Sequence, residues 1–344
     1  MRVGIVYDPI YLKHETGEHV ENSGRLLSIK SYLEQNNIMP LLTPISPRLA
    51  KMNELTLVHQ SRYIKDIQSF CTSGGGYLDL DTVVSARSYE VALCAVGGAI
   101  RAAESVMQNE VDSVFALVRP PGHHAVFNRA MGFCLFNNIA ITAKDALSKY
   151  GLERLAIIDF DVHHGNGTQD AFYADPRVLY VSTHQSPLFP GTGHIEETGS
   201  GPAKGTNINI PLPPGCGDAE FKQAFEQVVA PAIERFRPQL LLVSAGYDAH
   251  WADTISQMQL SVNGFADIVG IIKRLASELC SNRLVFMLEG GYNLRALAAS
   301  IQATFEVLLE KELTPDPLGS SATGRQAPDI GQLLKYIKQT HDLA

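Results

Sequence analysis

Two aspartates and two histidines stand within six positions of one another in the stretch "DFDVHHGNGTQ" (159–169), directly after the apolar run 155–158. If an extended backbone continues past residue 158, Asp159, Asp161 and His163 point to one side of the chain, because side chains alternate along a strand. A carboxylate and an imidazole two residues apart on one face are able to bind a single ion. We therefore predict that Asp161 and His163 are metal ligands.

A third ligand is expected from another part of the chain, since zinc in catalytic sites takes about three protein ligands and leaves one position for water. Asp248, in "AGYDAH" (245–250), is the candidate. Two carboxylates and one histidine also suit iron or cobalt, so the donor set is compatible with all three metals. Taken alone, a D-x-H spacing is common, and Asp248 is equally compatible with a helix N-cap.

The adjacent histidines His123 and His124 follow a stiff turn in "RPPGHHA" (119–125), which fixes where they project. Histidine suits both proton donation and proton acceptance near neutral pH. Asp159 is placed to hold one imidazole from behind, and Asn166 the other. A neutral amide stabilises an imidazolium less than a carboxylate does, so the two histidines need not share a protonation state.

Tyr292 follows two glycines in "EGGYNL" (289–294), and glycines permit close backbone approach and unusual dihedral angles. Its phenol is suited to donate a hydrogen bond to a developing oxyanion. A water, a metal, a histidine pair and a tyrosine donor together fit the hydrolysis of an unactivated carbonyl bond such as an amide. No phosphate-binding loop, dinucleotide-binding fingerprint or serine nucleophile motif competes with this interpretation.

The elements that must hold these side chains are predicted from short apolar runs, which are typical of parallel strands buried on both faces. The runs cover residues 2–7, 113–118, 155–160, 178–183, 240–245 and 284–289. Helix-like segments between them cover residues 89–108, 137–149, 218–236 and 262–279. Strands and helices that alternate in this way predict an α/β fold with a doubly wound, mostly parallel central sheet.

Each of the four polar clusters, at 119–125, 159–166, 245–250 and 289–294, directly follows a predicted strand. The carboxyl ends of parallel strands share one edge of a sheet, where ligands bind in such folds. Each cluster has an ordinary explanation of its own, as a turn, a cap or a solvated side chain. Their common position after strands predicts that they converge in one crevice.

We predict one domain over residues 1–344, because this length and a 45% hydrophobic content allow one large core. Three Gly- and Pro-rich stretches, 74–81, 189–205 and 211–218, are predicted to be long loops. Residues 312–326 are predicted to be an irregular crossing, and a short C-terminal helix completes the segment 312–344.

Composition excludes several classes of protein. A formal charge of −8 argues against a nucleic-acid-binding surface, since phosphate neutralisation dominates that affinity. Five scattered cysteines without a C-x-x-C pair predict reduced packing residues rather than disulfides or a thiolate zinc site. No apolar run reaches a membrane-spanning length, and the start "MRVGIVYD" lacks the layout of a secretory signal, so a cytoplasmic location is expected. The sequence carries no signal for an oligomeric state.

At this point the sequence resembles the zinc-dependent histone deacetylase and acetylpolyamine amidohydrolase superfamily, over residues 7–308, and it is most similar to the class II branch and its bacterial relatives. The motifs that carry the resemblance are "RPPGHHA", "GFCLFNN" (132–138), "DFDVHHGNGTQ", "FPGTG" (189–193), "AGYDAH" and "LEGGYNL" (288–294), in the family's order. The resemblance implies a single-domain arginase-like fold, with a sheet of about eight mostly parallel strands flanked by helices.

The resemblance also implies roles for individual residues. Asp161, His163 and Asp248 resemble the zinc ligands. His123 and His124 resemble the tandem acid/base pair, with Asp159 and Asn166 as their partners, and Tyr292 resembles the transition-state donor. The implied substrate-channel residues are Gly132, Phe133, Phe189, Ile255 and Gly291. Arg25 resembles an arginine below the metal that assists product exit, although "HETGEHVENSGRL" (14–26) departs from the family's motif at Val20 and Ser23.

Structural monovalent cations, potassium or sodium, are implied as well. One site resembles the backbone around Asp159, Asp161 and His163 together with Ser182 and Thr183. The other resembles the segment that contains Phe172, Asp175 and Val178.

The substrate is expected to be an ε-N-acetyl-lysine or a similar acylated primary amine. In polyamine-selective relatives a glutamate lies seven residues after the third metal ligand, where this sequence has Ile255, and the segment 77–119 is too compact for their dimerising insertion. An acetylpolyamine or another small N-acyl amine is the alternative. Two further hypotheses are an acyl-lysine reader without turnover and a dimetal ureohydrolase. The intact tyrosine and histidine pair disfavour the reader, and the shortage of carboxylate ligands disfavours the ureohydrolase.

Overall fold

The apolar runs form a central sheet in the computed structural model, which describes residues 1–321 and 327–343. Eight parallel strands lie in the order β2-β1-β5-β10-β9-β6-β7-β8. Their bounds are β1 Val3–Val6, β2 Thr43–Ile45, β5 Ser113–Ala116, β6 Leu155–Asp159, β7 Val178–Gln185, β8 Asn207–Leu212, β9 Leu241–Ala245 and β10 Leu284–Leu288. A separate antiparallel hairpin pairs β3 Gly75–Tyr77 with β4 Val83–Ser85. The predicted α/β fold with a parallel sheet is confirmed.

Two strands of the sheet lie outside the six predicted runs. β2 has three residues, one of them Pro44, and β8 carries Asn207 and Asn209, so neither has the continuous apolar pattern of a buried strand. Both lie at the edges of the sheet, where one side of the strand has no hydrogen-bonded neighbour. The stretch 74–81 was also predicted to be a loop, and this is wrong in part, because its glycines pair in β3.

Helices cover the sheet and include the four predicted ones. Their bounds are α1 Gly24–Gln35, α2 Met52–Leu55, α3 Ser61–Thr72, α4 Ser88–Met107, α5 Asn138–Tyr150, α6 Asn166–Phe172, α7 Asp218–Ala224, α8 Ala230–Phe236, α9 Val262–Leu279, α10 Leu294–Leu308 and α11 Gly331–Thr340. One π-helical turn, Phe225–Val229, joins α7 to α8, so the predicted helix 218–236 is continuous but locally wider. None of the helices in the described ranges is long and apolar enough to cross a bilayer.

The core lies on both faces of the sheet, and the central strands β5, β6, β9 and β10 are buried along their whole length. Aromatic rings fill one face: Phe115 stacks on Phe286 at 5.7 Å and lies 5.7 Å from Phe305. These packed rings hold the strands in fixed positions relative to one another. The loops that follow the strands therefore start from fixed positions as well.

The end of the chain agrees with the prediction where it is described. Residues 312–321 contain no helix or strand, and α11 is the expected short helix. The remainder of the predicted crossing, residues 322–326, lies outside the described residues.

Candidate active site

The four strands that carry the polar clusters are neighbours at the centre of the sheet, in the order β5-β10-β9-β6. Their registers are aligned at the carboxyl end, with Asp159 opposite Ser244, and Leu288 opposite Ala245. The predicted convergence of the clusters is therefore present in the structure.

The predicted metal ligands lie together where β6 and β9 end. One donor atom from each of Asp161, His163 and Asp248 lies within 4.8 Å of the others. His163 Nδ1 is 3.1 Å from Asp161 Oδ1 and 3.3 Å from Asp248 Oδ2. Both carboxylates are buried. Two buried carboxylates this close to one imidazole form a donor set for a divalent cation.

The strand conformation of β6 ends at Asp159, one residue before the predicted end of the run. The alternation of sides nevertheless continues through the next residues. Phe160 is buried against Tyr247 and Phe265, at ring distances of 5.7 and 6.0 Å. Packing of this ring therefore directs Asp161 to the other side of the chain, into the crevice.

The donor set passes a test for metal binding that is independent of its spacing. Asp248 Oδ1 accepts a hydrogen bond from the Val162 amide at 3.0 Å, but Asp248 Oδ2 is buried and, within the described parts of the chain, forms no hydrogen bond of good geometry, although His163 Nδ1 lies 3.3 Å away. A buried carboxylate oxygen without a partner is costly unless a cation compensates it. The donor oxygens also need space, because a Cβ atom at Gly290 would lie 2.1 Å from Asp248 Oδ2.

The histidine pair lies next to the metal ligands, with the two rings 4.0 Å apart. His123 Nδ1 is 3.1 Å from Asp159 Oδ2, and His124 Nδ1 is 2.9 Å from Asn166 Oδ1. The Tyr180 hydroxyl donates a second hydrogen bond to Asp159 Oδ2 at 3.1 Å. The structure therefore gives each histidine the partner predicted for it.

The two imidazoles differ in their protonation. Burial opposes the charge on His123, but the carboxylates of Asp161, Asp159 and Glu289 outweigh it and raise the pKa of His123 to about 10. Burial, together with the neighbouring His123 and His163, holds the pKa of His124 well below its usual value. The expectation of unequal protonation states agrees with these directions.

Tyr292 follows β10 and lines the same pocket. Its ring lies edge-on to Phe133 at 5.8 Å, and the Arg25 guanidinium carbon is 5.0 Å from the ring centroid. Burial raises the pKa of Tyr292 well above its usual value, so the phenol is a hydrogen-bond donor at neutral pH. A neutral donor in this position is suited to bind an oxyanion.

A pocket of about 180 Å³ leads to the three ligands and the histidine pair. It is lined by Asp81, Pro121, His123, His124, Gly132, Phe133, His163, Phe189, Ile255, Gly290 and Tyr292. Phe133 and Phe189 thus lie in the pocket wall, as the channel prediction requires, and Ile255 lines it too. The pocket lining includes Gly290 rather than the predicted Gly291, whose carbonyl accepts a hydrogen bond from Arg25 Nε at 2.7 Å.

Position 132 leaves no room for a side chain and therefore requires glycine. Its φ is +54°, and a Cβ atom there would lie 2.4 Å from the ring of His124. Phe133 also has a positive φ, +68°, which is unusual for an aromatic residue. This backbone conformation places the Phe133 ring in the pocket wall directly after a glycine that contacts His124.

The residues predicted to hold monovalent cations lie in two places. Ser182 pairs with Asp159 across β7 and β6, and the buried hydroxyl of Thr183 forms no hydrogen bond to any of the described residues. Phe172, Asp175 and Val178 form the turn from α6 to β7, where the Asp175 amide donates to the Phe172 carbonyl at 2.9 Å.

Arg25 belongs to a buried ionic cluster below the pocket that the sequence analysis did not identify. Glu21 accepts hydrogen bonds from Arg119 Nη2 at 2.8 Å and Arg25 Nη1 at 3.1 Å, and all three side chains are buried. The two guanidinium groups lower the pKa of Glu21 although burial opposes this. The cluster attaches the loop before α1 to the turn that precedes the histidine pair.

Glu289 is a second residue without a predicted role. Its carboxylate is buried and accepts hydrogen bonds from the Gly122 amide at 2.7 Å, the His123 amide at 3.2 Å and the Ser244 hydroxyl at 2.9 Å. Burial raises its pKa to about 7. The sequence does carry a signal for this role, namely a glutamate at the end of an apolar strand. Such a residue is rarely buried without a specific partner.

The structure therefore brings a candidate metal-ligand set, a histidine pair and a tyrosine together around one narrow pocket at the carboxyl ends of parallel strands. The histone deacetylase domain model matches residues 19–308 of the chain. The chain belongs to the histone deacetylase family, and it is a hydrolytic deacetylase.

Several relatives support this assignment. A probable deacetylase of Archaeoglobus fulgidus is 42% identical over 85% of this chain and 82% of its own length. Histone deacetylase 14, chloroplastic, of Arabidopsis thaliana is 40% identical over 88% of this chain and 75% of its own length. A histone deacetylase-like amidohydrolase of Pseudomonas aeruginosa is 39% identical over 80% of this chain and 73% of its own length. The crystal structure of the HDA15 HD domain matches with a TM-score of 0.89 and 32% identity, over 99% of this chain and 94% of that chain.

Proposed function

We propose that the protein is a zinc-dependent amidohydrolase that removes acetyl or other acyl groups from lysine side chains or similar primary amines. The observation that carries the proposal is the Asp161-His163-Asp248 set beside the histidine pair, in which both carboxylates are buried and one carboxylate oxygen forms no hydrogen bond of good geometry to a described residue. Iron or cobalt would suit the same ligands. Asp161, His163 and Asp248 would hold a divalent ion, which would supply polarisation of the substrate carbonyl and activation of a water near neutral pH.

The hydrogen-bond partners assign the proton-transfer roles. The Asn166 oxygen only accepts, so His124 Nδ1 donates to it, and in the neutral ring Nε2 is then free to accept a proton. This makes His124 the general base for the attacking water. His123 is paired with the Asp159 carboxylate, which stabilises the imidazolium, so His123 is the general acid for the leaving amine.

Tyr292 is the donor to the oxyanion of the tetrahedral species. Its phenol stays protonated, lines the pocket and makes no hydrogen bond to another side chain or to the backbone in the described parts of the chain. The hydroxyl is thus available to the substrate. Arg25, below the ring, is suited to assist departure of the product carboxylate by charge attraction.

The pocket favours an acylated lysine. Its aromatic walls and Ile255 match an aliphatic stem, and its small volume suits a single extended chain. Asp81 in the lining is the observation that favours a second candidate, since its carboxylate is able to pair with an internal ammonium group of an acetylpolyamine.

Structural potassium or sodium ions are part of the proposal. The unpartnered Thr183 hydroxyl beside Ser182 supports the site nearer the catalytic ligands. We place the enzyme in the cytoplasm, where its five free cysteines stay reduced. The acidic net charge supports a substrate other than nucleic acid.

The test compares turnover of an acetyl-lysine peptide and of N-acetylspermidine by the same preparation, with its metal content measured. We expect a higher kcat/KM for the peptide, loss of activity with a chelator, and recovery with added zinc or cobalt. The Asp161→Ala, Asp248→Ala double variant should bind no stoichiometric metal. Metal retained by that variant would contradict the ligand assignment, and preference for N-acetylspermidine would favour the second candidate.

A further inference from the structure

The position of the Tyr292 hydroxyl is set indirectly. Among the described residues no group forms a hydrogen bond to it, so only the ring and the backbone of Tyr292 determine where it points. The ring contacts Phe133 and Arg25. Only two side-chain torsions, each confined to a few preferred values, separate the backbone of a tyrosine from its ring, so a shift of the backbone carries the hydroxyl with it. The group that holds the Tyr292 backbone therefore controls the donor.

Asp253 is that group. One of its carboxylate oxygens, Oδ2, accepts hydrogen bonds from the Tyr292 amide at 2.6 Å and from the Asn293 amide at 3.0 Å. Its other oxygen, Oδ1, accepts from the Ile255 amide at 3.3 Å. Asp253 is 6% exposed, so water does not replace these interactions readily.

A second hydrogen bond joins the same two segments in the opposite sense, from the side chain of Asn293 to the backbone next to Asp253. Asn293 Nδ2 donates to the Ala252 carbonyl at 3.0 Å, while Asn293 Oδ1 caps α10 by accepting from the Ala296 amide at 3.0 Å. The carboxylate thus lies at the positive end of α10, which favours its charge. The turn with Tyr292 is attached on one side to α10 and on the other to the loop between Asp248 and Ile255.

From this geometry we infer that Asp253 is a positioning residue for the deacetylation reaction, which holds the Tyr292 phenol over the reacting carbonyl and couples it to the Ile255 side of the pocket. The inference rests on the proposed function, because it assumes that Tyr292 binds the oxyanion. Asp253 itself is not among the residues that line the pocket.

The variant Asp253→Asn is informative because neither orientation of the asparagine side-chain amide can replace all the hydrogen bonds that the carboxylate accepts. Both carboxylate oxygens accept from backbone N–H groups, so the new NH₂ group must face at least one donor. We expect kcat for an acetyl-lysine peptide to fall by about tenfold or more with KM nearly unchanged, as for loss of a transition-state contact.

A double-mutant cycle with Tyr292→Phe separates positioning from general damage. If Asp253 acts through the phenol, Asp253→Asn should lower kcat by at most about twofold in the Tyr292→Phe background, because residues that act as a unit are non-additive. The same full loss in both backgrounds would overturn the inference. Asp218→Asn is the matched control, since Asp218 also holds a helix start, through Ser261 at 2.8 Å, but lies outside the pocket. It should leave kcat nearly unchanged.

Hydrogen exchange provides a readout that needs no turnover. The amides of Tyr292 and Asn293 should exchange faster in Asp253→Asn than in the parent enzyme, and should be unchanged in Asp218→Asn. Unchanged exchange in Asp253→Asn would overturn the inference whatever the activity. Absence of turnover by the parent enzyme on acyl amines would overturn the proposed function instead, so the two failures are distinguishable.

Discussion

The two histidines of the pair are the same residue type with different partners, and the partner decides the chemistry. A carboxylate behind His123 favours the imidazolium, whereas an amide behind His124 leaves the neutral ring as the better state. Two groups whose surroundings separate their pKa values are suited to act as acid and base in one reaction.

Replacing either histidine tests this division of roles. In His123→Ala or His124→Ala, turnover should fall by a factor on the order of 10² or more, because each loses a proton-transfer group. Metal content should stay near that of the parent protein, since neither is among the three ligands. Loss of metal together with a histidine would show that it is a ligand.

Tyr292→Phe should keep the metal and an approximately unchanged KM, while kcat falls by roughly 10² to 10³, the usual loss for one oxyanion donor. A trifluoroacetyl amide has an activated carbonyl and depends less on the donor, so its loss should be smaller. Steady-state kinetics on acetyl and trifluoroacetyl substrates check this. Equal losses, or an effect confined to KM, would mean that Tyr292 only shapes the pocket.

Residue types alone predicted the groups that the fold brings together at the candidate site, because few other roles require two aspartates and two histidines beside one strand. Asp253 and the Glu21 cluster could not be found in this way, and for Glu289 the residue type at the end of an apolar strand indicated a buried acid but not its partners. Their partners are backbone amides and side chains far along the chain, such as the Gly122 amide for Glu289. Such roles become visible only when the fold brings the partners together.

At the scale of elements, the loop with the histidine pair is held by a residue from a different segment. His59, just before α3, has Nδ1 at 2.9 Å from the Val126 carbonyl, and its Nε2 accepts from the Asn137 amide at 2.9 Å. Asn137 in turn caps α5 through the Ala140 amide. These bonds require the neutral ring with its proton on Nδ1.

Burial lowers the pKa of His59 to about 4. The unfolded chain therefore binds a proton near pH 6.5 that the folded protein accepts only near pH 4, and the free energy of unfolding should fall as pH falls through that window. The contribution of His59 to this fall in the free energy of unfolding should reach about 3 kcal/mol at most. In His59→Gln, whose amide also offers a donor and an acceptor, unfolding by denaturant should depend less steeply on pH between 6.5 and 4. An unchanged pH dependence would contradict this role.

The sequence predicted the central strands well and the edges poorly, for a physical reason. Strands covered on both faces are nearly all apolar, as in β6 and β10, and such runs are readable. The edge strands β2 and β8 contain proline and asparagine, which an edge tolerates. Convergence at one edge of the sheet was predictable from topology, whereas the presence of Gly290 rather than Gly291 in the pocket lining is seen only in the folded chain.

At the scale of the molecule, the three proposed metal ligands follow two strands that are far apart in the sequence, so they meet only in the folded chain. A metal that binds the native state alone adds stability according to its concentration, about 4 kcal/mol at a thousandfold excess over Kd. Zinc should therefore raise the melting temperature of the chelator-treated protein by several degrees, measured by calorimetry. The Asp161→Ala, Asp248→Ala variant should show no such shift, and an equal shift would place the metal elsewhere.

All five cysteines are free and buried, and Cys134 lies directly beneath the pocket with its thiol against the Gly132 carbonyl at 3.2 Å. Burial also raises the pKa of the Cys134 thiol well above its usual value, so almost no thiolate is present at neutral pH. An alkylating reagent can then react only with molecules that have opened. The rate at which each thiol is modified reports how often its part of the structure opens. The five cysteines therefore allow local unfolding to be measured at five positions of the native chain.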